Sequence, residues 1–235
     1  MKITWLGQAG YLLRTDAGLT IMIDPYMSDS LREQAGESYA RQVPVDEEIL
    51  NMKLDVMIIT HPHGDHMDFA TLDVIFRNNP EMYVLSAYKT QFDMRARYGG
   101  ELHYMLFEPG VEINLPGVRF EAFFAQHCEG SIGALITADG KSVFHTGDGM
   151  LCRQLLSEGT KGADALIVPI NGKGNNMTAA DAAKLTKALA PKSVYPMHFD
   201  MFEKYGCDPA EFTEALGKDC GVRVVIPAHY TEGEI

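Results

Sequence analysis

Short apolar runs bounded by turn residues recur along most of the chain. They are rich in Val, Ile, Phe and Tyr and end in Gly, Pro, Asp or Asn, a pattern typical of β-strands. The Ala17-Gly18 and Asp139-Gly140 steps, each between two apolar runs, predict hairpin turns. The predicted strands are Lys2–Leu6, Tyr11–Thr15, Leu19–Ile23, Asp55–Thr60, Tyr83–Ser86, Val111–Leu115, Val118–Ala125, Gly133–Thr137, Ser142–His145, Ala165–Ile170, Ser193–Met197 and Val222–Ile226.

Helical spacing of apolar residues is less frequent and lies mainly between the predicted strands. Thr178 precedes Asp181 by three residues, which resembles a capping box, and Pro209 stands where a helix tolerates proline at its start. The predicted helices are Asp68–Arg77, Thr90–Arg97, Thr178–Leu189 and Asp208–Leu216. An opening meander of strands followed by mixed strands and helices favours an α/β sandwich with the helices outside.

Linkers, long repeats and low-complexity tracts are not evident, so we expect residues 1–235 to form a single domain. The segment Tyr26–Asn51 is different, because it is polar and charged and carries little strand signal. Two interpretations of this segment stay open. It is either a surface loop with a short helix or a lid over a functional site.

Composition limits the class of partner. The chain has a hydrophobic fraction of 46% and a formal net charge of −12, which disfavours nonspecific nucleic-acid binding because such binding depends on Lys and Arg. A local pocket for a small anion remains compatible with this charge, so we expect a small-molecule substrate. The sequence leaves the oligomeric state open, a homo-oligomer included.

The cysteines and the hydropathy pattern predict a cytoplasmic protein. The four cysteines are scattered without a CxxC pair, which is typical of reduced thiols. The first residues carry no signal-peptide pattern, and no apolar window reaches the roughly 18 residues of a membrane span.

A cluster of histidines follows one apolar strand directly. His61 and His63 are two residues apart, so in extended backbone their side chains leave on the same side. Gly64 permits a tight turn, after which Asp65 and His66 approach the same place from the other side of the turn. Imidazole and carboxylate groups are ligands that divalent first-row metals choose. The segment therefore predicts a metal site, and a polar surface loop is the alternative.

The run His61-Pro62-His63-Gly64-Asp65-His66 resembles the HxHxDH signature of the metallo-β-lactamase superfamily. The resemblance continues at Ile21–Pro25, whose aspartate supports the metal loop in that superfamily, and at His127, Asp148 and His198. It implies a four-layer αββα sandwich with two divalent ions, zinc or manganese. It also implies that the first ion is held by His61, His63 and His127. The second ion would be held by Asp65, His66 and His198, and Asp148 would bridge the two ions.

Two positions distinguish subclasses of the superfamily. Position 63 is His where the flavodiiron oxidoreductases carry Glu, and position 148 is Asp where the zinc β-lactamases carry Cys, so neither activity is expected. The segments Pro169–Asp181 and Pro196–Asp200 are similar to the L-ascorbate-6-phosphate lactonase-like branch. That likeness implies hydrolysis of a small lactone or ester, phosphorylated or not.

In the expected mechanism, a hydroxide that bridges the two metals attacks the carbonyl carbon of the substrate. Asp65 is the expected catalytic group, which takes the proton of the nucleophile and passes it to the leaving alkoxide. A phosphodiesterase and a non-catalytic metal-binding scaffold are the alternatives. Asn171 begins a loop before the helix start at Thr178, where free N–H groups attract anions, so we expect Asn171 to contact substrate. An ordinary capped loop explains the same pattern. For Gln8, structural and substrate-binding roles both stay open.

Overall fold

Two seven-stranded sheets form the centre of the protein. The computed structural model describes residues 1–156 and 158–235. The strands are β1 (Lys2–Gly7), β2 (Gly10–Arg14), β3 (Thr20–Ile23), β4 (Val56–Ile59), β5 (Tyr83–Ser86), β6 (His103–Leu106), β7 (Glu112–Leu115), β8 (Val118–Phe124), β9 (Ile132–Ala138), β10 (Lys141–His145), β11 (Ala165–Pro169), β12 (Ser193–Met197), β13 (Arg223–Val224) and β14 (Glu232–Glu234). The α-helices are α1 (Ser30–Ala35), α2 (Glu47–Leu50), α3 (Phe69–Asn78), α4 (Tyr88–Tyr98), α5 (Ala179–Leu189) and α6 (Pro209–Leu216).

Both sheets are mixed and follow the same plan. The first has the order β14-β1-β2-β3-β4-β5-β6 and the second the order β13-β12-β11-β10-β9-β8-β7. Each begins in chain order with antiparallel strands and continues with parallel strands, from β3 to β6 and from β10 to β13. Consequently, the carboxyl ends of the parallel strands of each sheet point to one edge, where α/β proteins place their sites.

The main core lies between the facing sheets. It joins buried residues of the first sheet, such as Ile23 and Ile58, to residues of the second, such as Phe120 and Val143. A second apolar cluster packs the other side of the first sheet against α3 through Met57 and Leu72, and the main core extends to α5 and α6. Burial of these aliphatic and aromatic side chains is the main stabilising term of such a sandwich.

The predicted α/β sandwich with outer helices is confirmed, and every predicted strand and helix has a counterpart within a few residues. Both predicted hairpins are present, since β2–β3 and β9–β10 pair antiparallel. The sequence pattern missed β6 and β14, because these edge strands are short and largely exposed. The prediction Val222–Ile226 was too long, since only Arg223 and Val224 pair with β12.

The segment Tyr26–Asn51 contains α1, α2 and a 3₁₀ helix at Glu37–Tyr39. Hydrogen bonds connect this segment to the rest of the protein at several positions. The backbone N–H of Met27 donates to Thr71 (2.8 Å), that of Gln42 to Met201 (3.0 Å), and Lys204 N–H donates to Ser38 (3.0 Å). In the described part of the chain, no helix has the length and apolarity that crossing a membrane requires.

Candidate metal centre

Loops at the carboxyl ends of strands in both sheets meet at one edge of the sandwich. The loop after β4 carries the histidine cluster, and the loops after β8, β10 and β12 carry His127, Asp148 and His198. The backbone N–H of Ile132 donates to Thr60 O at 3.1 Å, which joins the two sheets beside the cluster. The structure therefore brings together all seven residues that the sequence predicted as metal ligands.

His61, His63 and His127 form the first group. Nδ1 of His63 lies 3.0 Å from Nε2 of His61 and 3.1 Å from Nε2 of His127. The separations match those between nitrogen atoms around one ion, since metal–nitrogen distances are about 2.0–2.1 Å. The members of the group differ in solvent exposure, since His61 is buried and His63 is exposed. It thus opens to solvent on one side, where a substrate could enter.

Asp65, His66 and His198 form the second group, and their ligand atoms lie within 4.8 Å of one another. His66 Nε2 is 3.7 Å from Asp65 Oδ2. The turn that separates these residues from His61 is closed by a hydrogen bond from His66 N to His63 O at 3.0 Å. Gly64 lies in this turn, and a Cβ atom there would meet Leu31 at 3.1 Å. A residue with a Cβ atom at this position would require the Leu31 side chain to shift by a few tenths of an ångström.

Asp148 lies between the two groups. Its Oδ1 atom is 2.7 Å from His198 Nε2, whereas Oδ2 is 3.4 Å from His66 Nε2 and 3.9 Å from His127 Nε2. One carboxylate thus faces histidines of both groups, as the predicted bridging role requires.

Three buried polar atoms of this centre test whether the residues fit metal ions. Nε2 of His66, Nε2 of His198 and Oδ1 of Asp148 are buried without a hydrogen-bond partner in the described residues. His198 Nε2 and Asp148 Oδ1 are close to each other but lack hydrogen-bond geometry. Buried polar atoms without partners are costly, and metal coordination is one way to satisfy them. The residues present therefore fit divalent metal ions.

Hydrogen bonds at the far side of the rings orient these histidines. His61 Nδ1 is 3.0 Å from Thr60 Oγ1, and His66 Nδ1 is 2.8 Å from Asp24 Oδ2. Asp24 also accepts from the Thr60 backbone N–H at 2.7 Å. Such outer contacts fix the ring orientation of metal-binding histidines. The predicted support of the metal loop by the aspartate of Ile21–Pro25 matches these contacts.

Asn176, which the sequence did not single out, orients Asp148. Its Nδ2 atom donates to Asp148 Oδ2 at 2.9 Å, and its Oδ1 accepts from Gly149 N at 3.0 Å. Gly147 precedes Asp148 with φ of +64°, and a Cβ atom there would lie 2.3 Å from Ile132 O. Only glycine fits at that position, so the tight loop after β10 is dictated by its sequence.

Burial and charge act differently on the two groups. Burial lowers the pKa of His61 well below the ordinary histidine value and also lowers the pKa of His127. Burial acts in the same direction on His66, but the carboxylates of Asp148, Asp65 and Asp24 outweigh it and raise its pKa well above the ordinary value. Neutral imidazole is the form that binds metal, so the lowered pKa values of His61 and His127 favour cation binding at neutral pH.

A pocket of about 300 Å³ opens above the centre. Its apolar and aromatic lining residues are Leu31, Tyr39, Phe202 and Tyr205, and the ring centroids of Tyr39 and Tyr205 are 5.7 Å apart. Asn171, Lys173, Gly174 and Asn176 also line the pocket. Leu31 and Tyr39 belong to the segment 26–51, which therefore supplies a wall of the pocket.

Asn171, the expected substrate contact, lines the pocket, and it is largely buried with Oδ1 lacking a partner among the described residues. The start of α5 is placed differently. Thr178 accepts from the backbone N–H of Asp181 at 3.1 Å, and neither residue lines the pocket. The lysine among the described residues that line the pocket is Lys173, which the sequence analysis did not single out because one lysine in a polar loop is ordinary on a protein surface.

Three histidines lie outside the ligand groups, namely His103, His145 and His229. His145 is fully buried, with Nε2 3.0 Å from Ala9 O and Nδ1 accepting from Gly147 N at 3.1 Å, so both ring nitrogens are used within the core. His229 stacks on Trp5 with ring centroids 4.1 Å apart. His229 is therefore partly buried against an aromatic side chain of the core.

Comparison with known proteins identifies the protein family to which this chain belongs. The family model described as the Beta-lactamase superfamily domain matches residues 20–199, so the chain belongs to the metallo-β-lactamase superfamily. A UPF0173 metal-dependent hydrolase of Pelotomaculum thermopropionicum is 30% identical, and the alignment covers 99% of this chain and 100% of the relative. The chain belongs to the UPF0173 metal-dependent hydrolase family.

A second relative supports this family assignment, and a solved structure shares the fold. A UPF0173 metal-dependent hydrolase of Archaeoglobus fulgidus is 29% identical over 96% of this chain and 95% of the relative. Among solved structures, Igni18, described as a metallo hydrolase from Ignicoccus hospitalis, superposes with a TM-score of 0.80 at 24% identity. That superposition covers 100% of this chain and 98% of the other, which shows that the fold is shared over the whole length.

Proposed function

We propose that this metal-dependent hydrolase cleaves a small carbonyl ester, with a lactone as the leading substrate class. The observation that carries the proposal is the centre itself, in which seven ligand side chains converge with Asp148 between two groups at the base of a pocket. The lactone is inferred from the likeness of Pro169–Asp181 and Pro196–Asp200 to the lactonase-like branch.

When bound, two divalent ions supply a water of lowered pKa as nucleophile and polarise the substrate oxygen. The chain's own residues arrange the rest. Asp65 lines the pocket with 22% of its side chain exposed, and Gln8 Nε2 donates to its Oδ2 atom at 2.8 Å. In the proposed reaction, the Asp65 carboxylate receives the proton of the attacking water and transfers it to the leaving alkoxide.

The walls of the pocket constrain the substrate. A volume of about 300 Å³ is at the lower limit for ligand pockets, which suits a molecule of metabolite size. The rings of Tyr39 and Tyr205 offer contacts to an apolar or planar part of the substrate, while Asn171 offers amide contacts to a polar part. A lactone combines both properties in one small ring.

An anionic substituent on the substrate would contact the polar residues that line the pocket. Lys173 supplies the cationic side chain among the described residues that line the pocket. Its Nζ donates to Gly206 O at 2.9 Å and to Lys204 O at 3.3 Å, and an ammonium has three N–H donors. We therefore extend the proposal to lactones that carry a phosphate or carboxylate group, with Lys173 and Asn171 as contacts.

A substrate panel tests the proposal. Purified protein loaded with zinc or manganese is assayed against neutral lactones, their phosphorylated analogues and bis-p-nitrophenyl phosphate, with Asp65→Asn as the inactive control. Lactone hydrolysis that the control lacks is the expected result. Turnover of the phosphodiester alone would replace the proposal with the phosphodiesterase alternative. Absence of turnover of every compound by metal-loaded protein would favour a non-catalytic scaffold.

The anionic part is tested separately by one lactone with and without its phosphate at constant ionic strength. We expect a lower KM for the phosphorylated form. Equal kcat/KM for the two lactones would remove the anionic substituent from the proposal and leave the ester hydrolase.

A further inference from the structure

Gln8 occupies a position where its backbone conformation is unfavourable. It is the first residue of the two-residue loop between β1 and β2, in which Gly7 pairs with Gly10. Its φ angle is +49°, a left-handed conformation that turns usually assign to Gly, Asn or Asp. Outliers of this kind cluster at functional sites, where the side chain has a use that the conformation makes possible.

The main chain of Gln8 is held from two directions. Its carbonyl oxygen accepts from the indole Nε1 of Trp5 at 3.1 Å and from the backbone N–H of His198 at 3.2 Å. His198 is itself left-handed, with φ of +63°. The loop after β1 and the loop after β12, which belong to different sheets, are thus joined at these two residues.

The side chain of Gln8 turns into the metal centre and is only 2% exposed. Its Nε2 atom lies 2.8 Å from Asp65 Oδ2 and 2.8 Å from His198 Nδ1. Asp65 and His198 belong to the same group of candidate ligands, and they come from loops of different sheets. Gln8 therefore contacts both of the ligands whose mutual placement depends on how the two sheets are packed.

We propose that Gln8 is a positioning residue for the second metal site, which holds the Asp65 carboxylate and the His198 imidazole so that both face one ion. His66, the third member of that group, has its own support, because Asp24 contacts its Nδ1 atom. The first group is oriented through Thr60 and has no contact with Gln8 among the described hydrogen bonds. Loss of the amide is therefore expected to affect the second ion selectively.

The variant Gln8→Met tests this, because methionine has a similar length and cannot donate or accept as an amide does. Metal affinity is measured on purified protein by competition of Zn²⁺ with a chromophoric chelator, without any substrate. We expect the second zinc ion to bind about 10–100-fold more weakly and the first to bind within about twofold of wild type.

Gln91 offers the matched control. It is a buried glutamine in α4 whose Nε2 donates to Ser86 O (3.0 Å) and Met105 O (2.7 Å), away from the metal centre. Gln91→Met removes equivalent hydrogen bonds, so it is expected to lower the melting temperature and to leave both zinc affinities unchanged. If Gln8→Met weakens both ions equally, or leaves the second within twofold of wild type, the positioning role is overturned.

A measurement on the wild-type protein covers the case in which Gln8→Met fails to fold. In ¹⁵N-labelled metal-free protein, the side-chain amide signal of Gln8 is followed during a zinc titration. The proposal requires this signal to shift with the second equivalent of zinc, while the side-chain amide of Gln91 stays unchanged. A Gln8 signal that does not respond up to two equivalents contradicts the proposal. Neither readout involves hydrolysis, so the result is independent of the proposed substrate.

Discussion

The carboxylate of Asp24 holds the imidazole of His66 by its Nδ1 atom at 2.8 Å, and both side chains are completely buried. This contact turns the opposite nitrogen, Nε2, toward Asp148 and the second ligand group. Asp24 directly follows β3 and His66 lies in the loop after β4. The two residues can interact because the parallel pairing of these strands places their carboxyl ends together.

Removing the charge of Asp24 tests that interaction. Asp24→Asn keeps the shape of the side chain but weakens its contacts to His66 and to Thr60, so we expect metal affinity to fall about 10–100-fold. The matched control is Asp164→Asn, at a buried carboxylate that binds Lys192 Nζ (2.7 Å) and the Ser142 N–H (2.9 Å) instead. The control is expected to destabilise the fold and to retain both ions. Equal metal affinities in the two variants would contradict the role of Asp24.

The ligand set could be anticipated from the sequence because it depends on short motifs at strand ends. His61 to His66 follow a buried strand, and Asp148 follows a glycine that only a tight loop explains. The surroundings could not be anticipated in the same way. Tyr39 reaches the pocket from a polar segment, and its position depends on long-range bonds such as Lys204 N–H to Ser38 O. Such contacts leave no periodic signal along the chain.

The same distinction applies to the proposed contact with an anionic substituent. The pattern at Thr178 correctly indicated a helix start, but helix capping is local and does not report where the helix points. The Thr178 hydroxyl accepts from the backbone N–H of Asp181 at that helix start, whereas Lys173 in the preceding loop lines the pocket.

Asp148 and Asp65 are expected to differ in how they affect metal content. Asp148 faces both groups, so Asp148→Ala should cost both ions, because the repulsion between two cations is no longer screened. Asp65→Asn should keep most of the first ion and lose turnover by at least about 100-fold, since proton transfer contributes 10²–10⁴-fold in such reactions. Metal analysis after gel filtration, together with steady-state kinetics, checks both. Full metal content in Asp148→Ala would show that the carboxylate does not bridge.

Metal removal should lower thermal stability. Without ions, Nε2 of His66 and His198 and Oδ1 of Asp148 stay buried without partners. At free metal about 100-fold above each dissociation constant, two ions add about 5 kcal/mol, which corresponds to a melting temperature about 10–20 °C higher. Calorimetry with zinc and with excess chelator measures the difference. An identical melting temperature in both conditions would mean that the folded state does not bind the metal.

Asn171 is expected to anchor substrate without taking part in the chemical step. Asn171→Ala should raise KM more than it lowers kcat, because an interaction made equally in the ground state and the transition state changes binding alone. The control is Asn114→Ala, at an exposed asparagine on β7 that bonds Glu112 and does not line the pocket. A fall in kcat with unchanged KM in Asn171→Ala would assign this residue to the transition state.

Anomalous diffraction from crystals of the zinc-loaded protein, collected on both sides of the zinc edge, tests the central claim most directly. We expect two peaks per chain, about 3.5–4 Å apart, one among His61, His63 and His127 and one among Asp65, His66 and His198, with Asp148 contacting both. A single fully occupied ion, with His127 turned away from it, would contradict the account of a two-metal centre.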